Sequence, residues 1–494
     1  MVSQELDETS RTLLQLGGLI QTSIANYVAY RHAKPEQVEG TLPSKPLFDA
    51  QRALLAASGL LTELVSEPQN RLLEVSSQYF EARALHVVAD KQIPDILAKH
   101  ENGLDVKTLA AEVGIESRKL ARLMRCLCSI HLFKETAPDV FANNAITASL
   151  VDNEPLRSYI LLFALDLYSS SDYLPRYLSD PVKGQSYDVD VTPWQGAVGT
   201  TKPRWDWLEE KVKVSDLVEG RNGSDGGASA YPGPYGTALE KAVAAAILEK
   251  TNGKVNGDAD GESLVSRPEH SIFGLAMLGG GRVYGQAQLY DFPWASLGSA
   301  TIVDIGGGVG SFCLSLSHLY PDLQFVVQDR APVLRQAETQ VWPKEHPAAL
   351  EAGRVRFVPH DMFGPQPIKN AEVYWLRYIM HDWSDDYCIT ILSAIKSAMG
   401  PRSRILICDQ VMNTTLGSPE LPPAPAPLPA NWGYYTRYSH QRDLCMLSII
   451  NGIERKPSEF EDIIQRAGLK LRKIWDCRSQ VGLVEVVLPD SELA

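Results

Sequence analysis

The sequence has no CxxC pair, no long apolar run and no excess of basic charge. Its seven cysteines, Cys126, Cys128, Cys313, Cys388, Cys408, Cys445 and Cys477, are scattered and odd in number. That leaves neither a zinc-ligand spacing nor a disulfide framework, and a reducing, cytoplasmic setting is the expectation. No stretch reaches the roughly 18–20 apolar residues that crossing a bilayer needs. The start, MVSQELDETSRTLLQL, is acidic and lacks the charged-then-apolar pattern of an export signal. Lys and Arg number 47 against 60 Asp and Glu, a formal net charge of −13. A broad nucleic-acid or anionic-membrane footprint needs the opposite sign. No HxxxH or paired-carboxylate spacing suggests a metal. No nucleic-acid, membrane or metal partner is therefore expected.

What is present is a chain of 494 residues, 44% apolar and 22% charged, enough for two or three domains with a sizeable core. Residues 1–74 read as a helical extension, with apolar residues at three- and four-residue spacing in TSRTLLQLGGLIQTSIANYVAYRH and FDAQRALLAASGLLTELV. Residues 75–214 begin with further helices. LDVKTLAAEVGIESRKLARLMRCLCSIHLFKET then reads as helix, Gly114 turn, helix and strand, a winged-helix pattern. Residues 215–268 are rich in Gly, Ser, Asp and Asn around one helical run and read as a flexible insertion. From 269 to 494, strand-like and helix-like segments alternate, which marks an α/β domain with a parallel-rich sheet. A Pro-rich loop, LGSPELPPAPAPLPANWG, interrupts it. A single helix is expected across LCMLSIINGIERKPSEFEDIIQRAG, carrying Glu454.

VDIGGGVGSF follows a strand and opens a helix. Glycines at 306, 308 and 310 let the backbone approach a nucleotide closely. A dinucleotide fingerprint wants a third glycine where Ser311 stands, so no pyrophosphate cradle is indicated. Asp329 closes the next strand, where an acid accepts hydrogen bonds from a ribose diol.

The run D-x-G-x-G from Asp304 to Gly308, with that acid, resembles the class I methyltransferase motif for S-adenosylmethionine. The blocks HDMF, LRYIMHDWSDDYC and NGIERKPSEF resemble the small-molecule O-methyltransferases of the caffeic acid type and their fungal relatives. The resemblance is close from about 268 onward and looser from about 75 to 215. It implies a Rossmann-like domain, a mainly helical winged-helix dimerisation domain and a homodimer. It also implies Asp304, Gly306, Gly308 and Asp329 around S-adenosyl-L-methionine, Asp361 and Met362 beside its adenine, and Arg377, Phe273 and Met277 close by. His381 is implied as general base, flanked by Glu454 and Asp409, with Met446 and Asp382 toward a phenolic acceptor. Relatives often carry Glu at 409, and Gly where this chain has His360.

The chemistry is consistent with that. A phenol near pKa 10 and an imidazole near 6.5 make full proton transfer uphill by roughly 5 kcal/mol. A positioned imidazole can still take the proton as the oxygen attacks. Asp382, Ser384 and Asp385 also read as helix-start residues accepting backbone N–H groups. Two other functions compete. A relative without methyl transfer would use the cofactor structurally, but such relatives typically lack the base. A DNA-binding regulator would use Lys107, Arg118, Lys119, Arg122, Arg125 and Lys134. Asp105, Glu112, Glu116, Glu135 and Asp139 leave those no strong basic face.

Overall fold

The computed structural model describes residues 6–33, 40–220, 229–251 and 264–493. Segments 221–228 and 252–263 of the expected insertion lie outside the described residues. Contacts divide the chain into two units. One holds Met1–Ser66, Tyr284–Leu447 and Asn451–Ala494; the other holds Glu67–Val283 and Ser448–Ile450. The divisions at 66 and 283 differ from the sequence boundaries at 74 and 268. The helix Pro68–Ser77 and all but the last residue of the helix Pro268–Tyr284 belong to the second unit.

In the second unit, helices Val106–Val113 and Ser117–Ser129 are joined at Gly114, whose φ of +70° suits glycine. Asp105 and Glu116 cap them by accepting backbone N–H bonds. Strands β1 (Leu104–Asp105), β2 (Phe133–Ala137) and β3 (Val140–Asn143) form the wing in the order β1-β3-β2. Leu109, Leu120, Met124, Leu127 and Phe141 fill its core. The described part of the insertion holds the expected helix, Gly236–Thr251, and a short strand. Strand β4 (Lys211–Lys213) pairs antiparallel with β5 (Leu264–Ser266), and Leu217, Ala246 and Val265 make a small core with the helix Gly236–Thr251. Apolar side chains spaced through a Gly-rich sequence were enough to fold its described part.

In the first unit, seven strands form one sheet: β6 (Thr301–Ile305), β7 (Gln324–Asp329), β8 (Val355–Pro359), β9 (Val373–Arg377), β10 (Arg404–Cys408), β11 (Lys470–Trp475) and β12 (Leu483–Val487). Their order is β11-β12-β10-β9-β6-β7-β8, parallel except for β12. The central strands β6, β7, β9 and β10 are covered on both faces and are buried and mainly apolar along their length, whereas the edge strands β8 and β11 are partly exposed. Ile302, Phe325 and Trp375 face one core, and Val303, Val326 and Leu376 the other. From β6 the chain builds outward to β8, then returns to β9 on the other side. That reversal opens a crevice at the carboxyl ends of β6 and β9, where open α/β sheets bind ligands.

The N-terminal helices Glu8–His32 and Lys45–Val65 belong to this same unit and pack on the Pro-rich loop. Leu16, Ala56, Ala57 and Leu428 form a small core with Trp432 and Tyr435 against it. The Arg52 guanidinium lies 3.9 Å from the Trp432 ring centre and pairs with Asp476. A Cβ on Gly59 would fall 2.1 Å from Tyr434 Cβ, so the loop and helix touch backbone to side chain. Among the described residues, no helix is long and apolar enough to cross a membrane.

Candidate active site

The chain leaves β9 through Tyr378, whose φ of +55° is a left-handed conformation that bulky residues rarely adopt. Its N–H donates to Cys408 O, which ties the turn to β10. The reversal delivers Met380–Asp382, a single 3-10 turn, so His381 stands on that turn rather than on the strand itself. The helix Asp385–Lys396 follows, with Ser384 at its N-cap and no side-chain cap hydrogen bond. The expected capping acids do other work. Asp385 accepts from Arg455 Nη2 at 2.7 Å and Nε at 3.1 Å. Asp382 Oδ1 lies 3.4 Å from His381 Nε2.

Glu454 is not on a helix. The helix Arg437–Ile450 ends at Asn451, whose φ is +53°, and the helix Pro457–Arg466 restarts with Pro at its first position. Asn tolerates the left-handed cap and Pro pre-sets a helix start, so one expected helix becomes two with a loop between. That loop is pinned to the His381 turn. Ile453 N donates to His381 O at 2.9 Å, and Arg455 donates to the carbonyls of Met380 and Trp383, both at 2.8 Å. Glu454 N donates to Asp443 Oδ1 at 3.0 Å. Arg455 and Asp443 were missed in the sequence. The adjacency of Arg455 to Glu454 was the available signal, and nothing local marked Asp443.

The result is a buried imidazole among carboxylates. His381 Nδ1 is 2.8 Å from Glu454 Oε1, with side chains 5% and 0% exposed. An Nδ1–H donating to Glu454 fixes the tautomer and leaves the Nε2 lone pair as the basic end. Burial alone would lower the His381 pKa. The carboxylates of Glu454, Asp382 and Asp409 outweigh it and raise the value to about 9. Asp409, directly after β10, is pushed up to about 7, first by burial and then by Glu454 and Asp382, against His381 and Arg455. No hydrogen bond joins Asp409 to His381. Both Asp409 carboxyl oxygens, Glu454 Oε2 and Arg377 Nε are buried without a partner among the described residues. Each such group costs about 1–3 kcal/mol while unmatched.

At the end of β6, Gly306, Gly308 and Gly310 all have positive φ. A Cβ on Gly306 would lie 2.5 Å from Ile379 Cδ1, whereas one on Gly308 would meet nothing within 4 Å. Gly308 N donates to Asp329 Oδ2 at 2.8 Å, and Arg330 N to Oδ1 at 2.7 Å. Asp304 lies buried below the loop, accepting from the Cys313 thiol at 3.2 Å, and burial raises its pKa to about 6. Asp361 follows β8 and accepts from Phe363 N, while Met362 packs against the sheet. Gln328 and Gln366 exchange two buried hydrogen bonds beside them, a pairing with no sequence signature. Met446 is buried on the helix Arg437–Ile450. Phe273 and Met277 belong to the second unit, where the Phe273 ring meets Trp205 edge-on at 5.3 Å and Met277 is exposed. Among the described residues, no group of three or more His, Cys, Asp or Glu could hold a metal ion.

Comparison with known proteins identifies the family. An O-methyltransferase domain profile matches residues 266–470, and an O-methyltransferase dimerisation domain profile matches 73–153. O-methyltransferase tpcA of Aspergillus fumigatus is 52% identical over 486 residues, covering 97% of this chain and 96% of that protein. The chain belongs to the O-methyltransferase family. O-methyltransferase gedA of Aspergillus terreus is 54% identical over 458 residues, covering 92% and 90%. Two solved structures share the O-methyltransferase's fold. LepI in complex with SAM matches with a TM-score of 0.62 at 20% identity, covering 97% of this chain and 100% of that one. Mitomycin 7-O-methyltransferase MmcR matches with a TM-score of 0.57 at 21% identity, covering 85% and 97%. The enzyme's cofactor is S-adenosyl-L-methionine. The glycine loop fits it: the space beyond Gly308 is open, and the Asp329 carboxylate stands at the loop's edge.

Proposed function

We propose that this O-methyltransferase methylates a phenolic hydroxyl of a small aromatic or polyketide-type acceptor, with His381 as general base. The observation that carries the reading is the buried 2.8 Å contact between His381 and Glu454 beside the crevice. S-adenosyl-L-methionine, when bound, supplies the methyl group as an electrophilic sulfonium. Gly306 and Gly308 would admit it, Asp329 would take its ribose hydroxyls, and Asp361 and Met362 would flank its adenine. Arg377 is proposed near its methionine end, and Met446 against the acceptor ring. The acceptor's O–H proton would pass to His381 Nε2 as its oxygen takes the methyl group and the carbon–sulfur bond breaks, the cofactor leaving as the neutral thioether. Glu454 and Asp382 stabilise the imidazolium so formed.

The raised basicity has two consequences. With a His381 pKa of about 9, taking a proton from a phenol is uphill by only about 1.4 kcal/mol rather than roughly 5. Conversely, at pH 7 roughly one imidazole in a hundred is neutral and ready to accept. The same sulfonium charge disfavours the imidazolium before reaction, which helps free the base.

A homodimer belongs to the same proposal. It is supported by the dimerisation match and by Leu73, Tyr79 and Phe80, which are exposed at the start of that segment. A second reading, cofactor retention without methyl transfer, draws on the solved structure described as a pericyclic reaction enzyme, with a TM-score of 0.61 at 19% identity. The His381–Glu454 pair favours methyl transfer. Incubation with methyl-labelled S-adenosyl-L-methionine and a panel of phenols tests the choice. Label in a methyl ether is expected; bound but unspent cofactor with every phenol would favour the second reading.

A further inference from the structure

His381 is carried on a turn too short to hold its own shape. Met380–Asp382 is three residues long, and its backbone supplies Asp382 N to Ile379 O at 3.1 Å and Trp383 N to Met380 O at 3.3 Å. A single 3-10 turn with bonds of that geometry has little stiffness. The grip on it comes from the segment after Asn451. Ile453 N donates to His381 O at 2.9 Å. Arg455 Nη1 donates to Met380 O and Nη2 to Trp383 O, both at 2.8 Å. Carbonyls on both sides of His381 are thus held by one guanidinium, one residue from Glu454. Nε and Nη2 also reach Asp385 Oδ1, at 3.1 and 2.7 Å, which ties in the helix after the turn. Arg455 is 1% exposed. The Cys388 thiol reaches the same two carbonyls at 3.3 and 3.4 Å, but a thiol donates weakly.

We infer that Arg455 is a positioning residue for methyl transfer, whose planar fork sets the distance between the His381 ring and the Glu454 carboxylate. It acts through those two side chains and not on the acceptor. A lysine in its place would bring the charge on one nitrogen, which cannot span the carbonyls of Met380 and Trp383 and the Asp385 carboxylate together. The inference rests on the reading of His381 as base, because that reading makes the distance matter for turnover. Burial lowers the basicity of the ring, and Glu454, in contact at 2.8 Å, is the largest influence that raises it. Asp382, Asp409 and the Tyr378 ring are the other groups facing the imidazole. The influence of Glu454 fades as its carboxylate moves away. Two effects of losing Arg455 therefore have opposite signs. Removing a nearby cation raises the imidazole pKa, whereas letting Glu454 drift lowers it.

The test is a carbon NMR titration of the full chain with labelled histidine, the His381 signal being assigned by its loss in His381→Gln. Wild-type His381 is expected to titrate at about 9. In Arg455→Met it should titrate about one pH unit lower, against the sign of the lost charge. On a phenol that the wild-type enzyme methylates, kcat should fall about 30-fold with KM within about 3-fold, and the cofactor Kd should hold. Arg455→Lys, the milder change should the methionine variant fail to fold, should lower the titration by about half a pH unit. In Glu454→Gln the further change Arg455→Met should move it by less than about 0.3 pH unit, because the group it positions is already gone. A His381 titration that stays or rises in both single variants, or effects that add in the double variant, would overturn the inference. Undiminished turnover in His381→Ala would instead overturn the reading of His381 as base, whatever the titrations gave.

Discussion

The two ends of the crevice are built from different materials. At the carboxyl end of β6 the backbone does the work: three positive-φ glycines, an amide donating to Asp329, and open space beyond Gly308. At the ends of β9 and β10, side-chain charge does it: His381, Glu454 and Asp409 are buried with Arg455, and the partly exposed Asp382 stands beside His381. The backbone end also holds two carboxylates, but Asp304 is paired with the Cys313 thiol and Asp329 with two backbone amides, whereas at the charged end both Asp409 oxygens lack a partner among the described residues. A cofactor common to many chemistries suits the first, and a proton transfer tuned to one suits the second.

That division predicts separable defects. The largest is in His381→Ala, where turnover should fall by about 1000-fold while isothermal titration gives an unchanged cofactor Kd. A cofactor Kd that moved with turnover would merge the two ends. Gly306→Val should do the reverse. Its Cβ would strike Ile379 in a backbone conformation valine disfavours, so cofactor affinity should fall by about 30-fold. The pH profile of kcat should stay where it is.

The pH dependence itself belongs to the charged end. For the wild-type enzyme, kcat/KM should climb about tenfold per pH unit and level off near 9, following the neutral imidazole. In Glu454→Gln the limb should move down by at least about one unit, because the largest raising charge is gone. A limb that stays put would show that Glu454 does not set the basicity. Stability should run the opposite way to activity. His381 binds its proton more tightly folded, about 9 against 6.5 unfolded, so its contribution is full below 6.5 and lost as pH rises through 9. Asp409 also holds a proton that the unfolded chain releases from 3.8, so stability falls from there to about 7. The melting temperature should drop by roughly 5 °C between pH 6 and 9, and by less in His381→Gln.

The smallest effect concerns support of the charged end from outside. Arg52→Ala removes the guanidinium from Trp432 and Asp476, and with it part of the grip of the N-terminal helices on the Pro-rich loop. A loss of about 1–2 kcal/mol is expected in denaturant melts, with cofactor affinity unchanged.

The sequence by itself determined the alternating α/β architecture, the winged helix and the glycine loop. Each of these is a short-range consequence of residue type: apolar runs buried on two faces, and glycines where φ must be positive. It also named His381 and Glu454 through compact blocks around each. Only the tertiary structure decided what surrounds them. Asp385 left its capping role because Arg455, seventy residues onward, offers a buried charge partner worth more than a backbone N–H. Glu454 came off its helix because Asn451 and Pro457 break the run, and the freed loop docks on the His381 turn. The basicity of His381 is a sum over carboxylates from three separated segments, and such a field depends on distances that no local pattern encodes.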